Sequence, residues 1–116
     1  MKYDLEERTT LFGGNVISFI KSVEKNSLLQ PLLTQLIRSS TSIGANYCEA
    51  IEASSRKDFI NKIYICKKEA HETKHWLRMI VNYLPDKNPC KELWQEAHEL
   101  VLIFSSITSK SKQIDK

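Results

Sequence analysis

Apolar residues recur along most of this chain at alternating spacings of three and four, the pattern of a single helical face. Leu5, Thr9, Phe12, Val16, Phe19 and Val23 make the first seam, and Leu33, Leu36, Ser40, Ile43, Tyr47 and Ala50 the second. Phe59, Ile63, Cys66, Ala70, Thr73, Leu77, Ile80 and Leu84 make the third, without a slip. Cys90, Leu93, Ala97, Leu100, Phe104 and Ile107 make the fourth. No segment alternates with a period of two, so no strand is predicted.

Cap and turn residues set the expected ends. Asp4 caps the first helix, with Glu6 and Glu7 in its first turn. Gly13 and Gly14 interrupt it at about 1 kcal/mol each relative to Ala, which suits close packing or a slight bend. Asn26-Ser27 connects to the second helix, whose first turn accommodates Pro31. Ser55-Arg56-Lys57-Asp58 is close to a capping box. The stretch from Pro85 to Pro89 breaks the third helix and starts the fourth, with Asn88 as cap and Pro89 as first helical residue. Beyond Ser105 the chain turns polar and is expected to fray. The predicted helices are 4–25, 29–53, 55–84 and 88–109. Similar lengths and short loops give an all-α, up-down-up-down four-helix bundle, one domain over 1–116, with crossings near ~20°.

The second helix is thin in its middle, where Ser39, Ser40, Thr41, Ser42, Gly44 and Ala45 fall together. Neighbouring helices can approach closely there. Polar groups beside its core face need partners, since an unpaired buried one costs about 1–3 kcal/mol. Arg38, Asn46, Glu49 and Glu69 are expected to form a structural ion-pair and hydrogen-bond network that fixes helix register.

Composition adds the class of protein. With 41% hydrophobic and 27% charged residues the chain is of the soluble globular type. No run approaches the ~20 apolar residues needed to cross a bilayer. The opening MKYDLEERTT is too charged for a signal peptide, so a cytoplasmic protein is expected. Cys48, Cys66 and Cys90 form no CxxC pair, and the last two lie on apolar seams, as small hydrophobes do.

Charge is the more telling feature. The net +3 comes from one segment, residues 54–84, with seven basic and three acidic groups. Within it Lys67, His71, Lys74 and Arg78 form a row about 16 Å long at 1.5 Å per residue. Such a row can follow two or three phosphates of a nucleic-acid backbone, independently of sequence and sensitively to salt.

Other constellations are weaker. His71-Glu72-Thr73-Lys74-His75 spells H-E-x-x-H, and both imidazoles share a helix face. A zinc hydrolase also needs a third ligand and a strand to hold substrate, so it stands as a remote alternative. A di-iron bundle needs two Glu-x-x-His elements; Glu72-His75 is one, and Gln95-His98 fails as the second. Neither Arg38 nor Arg78 has a downstream His at the spacing of a helical ribonuclease site. No metal, cofactor or catalytic residue is assigned. Ile17, Tyr64 and Leu102 lie off the seams, with Trp76 and Trp94 at their margins, and these five are read as an oligomer surface.

QLIRSSTSIGANYCEA, DFINKIYICKKEAHETKHWL and the opening DLEERTTLFGGNVISFIKSV together resemble a family of bacterial four-helix bundle proteins, those of the intervening sequences in 23S ribosomal RNA genes. Arg38-Ser39-Ser40, Ala45-Asn46 and Glu49-Ala50 carry the likeness in the second helix. Lys67-Lys68-Glu69-Ala70, Glu72-Thr73 and Trp76-Leu77 carry it in the third. The family is similar to the accessory proteins of diversity-generating retroelements. That resemblance implies a ring-shaped homo-oligomer, a pentamer, whose partners are RNA or DNA or a reverse transcriptase-like protein, with no membrane. The expected function is a non-enzymatic oligomeric module binding nucleic acid, or an enzyme acting on it, through the basic face of the third helix. A scaffold without nucleic-acid affinity is the alternative.

Overall fold

A computed structural model describes residues 4–114. It contains α1 (Leu5–Ser22), α2 (Leu29–Ile51), α3 (Arg56–Val81) and α4 (Asn88–Ile114). Among the described residues there is no strand. No helix among them is long and apolar enough to cross a membrane. Short loops fold the helices back and forth along a 49 Å axis. α1 packs on α2, α2 on α3 and α3 on α4, while α4 meets α1 along a looser seam. The chain is therefore the all-α four-helix bundle that the seams predict.

Local chemistry explains the helix ends. Asp4 accepts the Glu7 N–H at 2.8 Å, and Ser55 accepts that of Asp58 at 3.1 Å. Asn26 Oδ1 takes both the Leu28 and Leu29 N–H groups at 2.9 Å, so α2 starts without a cap of its own. α1 stops at Ser22 and α3 at Val81, each about one turn sooner than the seams suggest. A lysine folds back at both places. Lys25 Nζ donates to the Ile20 and Val23 carbonyls at 2.8 and 3.0 Å, and Lys87 Nζ to those of Val81 and Leu84 at 3.3 and 3.1 Å. Bare C-terminal carbonyls attract such a cation.

Two expectations about α4 change. Asn88 is its first residue, and Asp86 Oδ1 accepts the Asn88 N–H at 3.1 Å, doing the capping assigned to Asn88. The polar end also continues as helix to Ile114 instead of fraying after Ser105. Thr108 is only 4% exposed and turns its hydroxyl to the Ser105 carbonyl at 3.0 Å, so the core face outlasts the apolar letters.

Phe12, Leu36, Ile63, Leu77, Leu100 and Phe104 are buried at the centre of the bundle. Both seam thiols are there too. Cys66 Sγ lies 3.5 Å from the Ile43 carbonyl and Cys90 Sγ 3.2 Å from that of Leu77. Burial pushes the Cys66 thiol up to about 12 and the Cys90 thiol up to about 11, so both are inert at neutral pH. The thin middle of α2 works as expected at Gly44, where a Cβ would sit 3.3 Å from Thr9 Oγ1 of α1. Gly14 borders open space, and a Cβ there would touch nothing.

Gly14→Ala is therefore expected to stabilise the protein by about 0.5–1 kcal/mol, through lost freedom of the unfolded chain. Leu36→Ala, at a fully buried position, should cost about 2–5 kcal/mol. Urea unfolding followed by circular dichroism measures both.

Candidate nucleic-acid interface

The carboxylates of α3 and α4 are sorted by two arginines. Glu69 is 7% exposed, on the flank of α3 that meets α2. Arg38 of α2 donates through Nη1 to Glu69 Oε2 at 3.0 Å and through Nη2 to Glu72. Glu72 also accepts the Trp76 indole N–H at 3.1 Å. Behind this pair the Ser39 and Thr73 hydroxyls lie 2.9 Å apart, and Thr73 reaches the Glu69 carbonyl at 2.8 Å. Across the bundle Arg8 of α1 grips both oxygens of Glu96 in α4, at 2.7 and 2.9 Å, and reaches Glu99 at 3.2 Å. A two-pronged pair of this kind fixes geometry as well as charge.

With those acids drawn to α2 and α1, the flank where α3 meets α4 is left to cations. Lys67, His71, Lys74 and Arg78 follow one another along α3 on that side. Lys74 Nζ is 3.0 Å from His98 Nδ1 and 4.7 Å from the centre of the Trp94 ring, a cation–π contact. Trp94 and His98 stack at 5.2 Å and 10°. Lys91 lines a hollow together with Arg78 and Trp94. His71 registers the local field: burial, then Lys74, Lys67 and His98, hold its imidazole below the usual range. Among the described residues no carboxylate pairs with Lys67, Lys74, Arg78 or Lys91. The result is a positive groove over an aromatic floor.

Sequence patterns locate the α3 row but miss its partners in α4. Lys91 and His98 are seven residues apart, so they share a flank; phasing α4 around Trp94 would have exposed them. Arg8 gives no local signal, because its partners lie about ninety positions away.

The remaining candidates are dispersed. Asn46 donates to the Ser42 carbonyl of its own helix at 2.8 Å. Glu49 pairs with Lys62 at 2.7 Å on the surface. Of the four network residues, only Arg38 and Glu69 meet. Ile17 and Leu102 are exposed, whereas Tyr64, Trp76 and Trp94 are half-buried. Through Glu72, Trp76 belongs to the α2 flank, so the two tryptophans sit on opposite sides of α3. His71 and His75 are both exposed, and His75 sets its ring against Trp76 at 4.8 Å and 66°. Among the described residues no three His, Cys, Asp or Glu side chains gather as a metal site requires.

Arg38→Ala leaves the buried Glu69 carboxylate without its cation. A loss of about 1–3 kcal/mol is expected, below that of a fully buried pair because Arg38 is itself half exposed. Arg38→Ala combined with Glu69→Leu should recover part of it in the same urea titration.

The bundle has counterparts among known proteins. A crystal structure of a protein of unknown function from the S23 ribosomal protein family of Bacteroides thetaiotaomicron superposes with a TM-score of 0.77 at 29% identity, covering 89% of this chain and 96% of that one. No curated protein matches the chain. The family model for the 23S rRNA-intervening sequence protein matches residues 3–101, so α1, α2, α3 and the first half of α4 lie within it. The chain belongs to the 23S rRNA-intervening sequence protein family.

Proposed function

We propose that the α3–α4 groove binds the phosphate backbone of nucleic acid, and that the protein works by binding, without a reaction of its own. The removal of acids from this groove supports the reading most. Glu69, Glu72, Glu96 and Glu99 all lie on neighbouring helices' flanks, so Lys67, Lys74, Arg78 and Lys91 keep their charge for a ligand. An ordinary solvated surface intersperses both signs. The family name, which refers to a ribosomal RNA insertion, agrees with an RNA ligand.

Self-association is a second element of this reading. Ile17 at 41% and Leu102 at 55% exposure, on α1 and α4, offer apolar surface for other copies, and the resemblance to ring-forming bundles supports a pentamer. Light scattering should then give a mass near five times the 13.4 kDa of one chain. A stable monomer at micromolar concentration would contradict it.

Replacing Lys67, Lys74 and Arg78 together by Gln is expected to abolish retention of a mixed RNA at low salt. The slope of log K against log salt should flatten by about 2–3 for a duplex. Undiminished retention would overturn the proposal.

A pH dependence follows from His71. A bound phosphate favours the charged imidazole, so the complex holds its proton at a pH where the unliganded protein, its value already lowered, has released it. Affinity should rise as pH falls through the interval between the bound-state value and the lowered unliganded one. His71→Gln should flatten that rise, with Lys67 and Lys74 beside it on α3 and His98 facing it from α4.

A further inference from the structure

Where the C-terminal half of α3 meets the start of α4, the groove deepens into a hollow of about 200 Å³ lined by Leu77, Arg78, Val81, Cys90, Lys91 and Trp94. Its base is dry. Leu77 and Cys90 are each 1% exposed and tied together by the thiol–carbonyl contact at 3.2 Å. Trp94 makes an aromatic wall, and its indole N–H is buried with no acceptor among the described residues. Arg78 and Lys91 supply two cations at the rim, and no carboxylate is among the lining residues.

These features select an occupant. The volume is below the ~300–1,000 Å³ of pockets for drug-sized molecules, which leaves room for a single flat ring system. An apolar floor with an aromatic wall favours a planar group. Cations at the rim favour a negative charge on each side of it. An unpaired nucleobase between its two backbone phosphates meets all of these demands, whereas a base inside a duplex has its faces covered by neighbours. Stacking on aromatic and guanidinium surfaces tolerates any base, so no sequence preference comes with it.

We infer that this α3–α4 hollow takes one unstacked base of a single-stranded nucleic acid, held against Trp94 with Arg78 and Lys91 on the flanking phosphates. The inference rests on the groove reading and narrows it to single strands, which bind about tenfold more tightly than a duplex of equal phosphate count at the same salt.

A Trp76→Phe protein, in which Trp94 is the remaining indole, provides the test. Its fluorescence is titrated with a 20-nucleotide mixed-sequence single strand and with a hairpin duplex of equal phosphate count. Anisotropy of labelled strands runs in parallel. Quenching by the single strand alone, with its tighter binding, is the expected result. Val81→Trp in the otherwise wild-type chain fills the hollow without altering charge, and anisotropy should show single-strand affinity falling to the duplex level. Equal affinities without quenching would overturn the hollow while leaving the groove in place. Absence of binding to either strand would overturn the groove itself. Preference for an acidic, aromatic-containing peptide over both nucleic acids would also overturn the inference. Should Val81→Trp not fold, the quenching comparison, which keeps Val81, still decides.

Discussion

A carboxylate that is 7% exposed has lost most of its hydration, and Glu69 is in that position at the junction of α2 and α3. Such a charge persists only beside a cation and well-placed donors. Arg38 fills that role and, having a second arm, also takes hold of Glu72. The arrangement needs α2 close to α3, and the small side chains of α2 allow it: Ser39 and Thr73 touch through their hydroxyls directly behind the pair. A larger residue at 39 would push the helices apart and strand Glu69.

The consequence reaches the opposite flank of α3. A helix with seven bases and three acids around it would ordinarily present a mottled surface. Here two of the acids are fixed on the α2 side, and Arg8 withdraws Glu96 and Glu99 of α4 towards α1. Positive charge is thereby concentrated where α3 meets α4, more by the placement of acids than by abundance of lysine. A net charge of only +3 can then produce a strongly one-sided field. Burial, and after it the neighbouring charges of Lys74 and Lys67, lower the affinity of His71 for its proton, in keeping with that field.

Aromatic residues give the groove its shape. Lys74 lies against Trp94, and Trp94 against His98, so the cation is held by α4 without being neutralised. Beyond this cluster Val81 and Lys91 open the wall towards the α3–α4 turn, where Lys87 finishes the helix by covering its last carbonyls. The early end of α3 and the hollow beside it thus belong to one stretch of chain.

The amino-acid order by itself determined the four helices, their seams and the bundle, because burial of an apolar face repeats every few residues and can be seen without knowing the neighbours. It also determined which helix carries the excess charge, which is simple counting over residues 54–84. Local order did not disclose the helix ends closed by Lys25 and Lys87, whose side chains act several residues back. Nor did it disclose that α4 stays helical past Ser105, where burial of Thr108 outweighs the polarity of its neighbours. Asn46 and Glu49 looked like members of the Arg38 network by proximity in sequence; their helical phase sends one to its own backbone and the other to the surface. Only the packed bundle decided which cations are matched and which remain open, since Arg8 and Glu96 are distant in the chain and adjacent in space. Electrostatic partnership is a property of distance through space, and that distance exists only once the helices have been brought together.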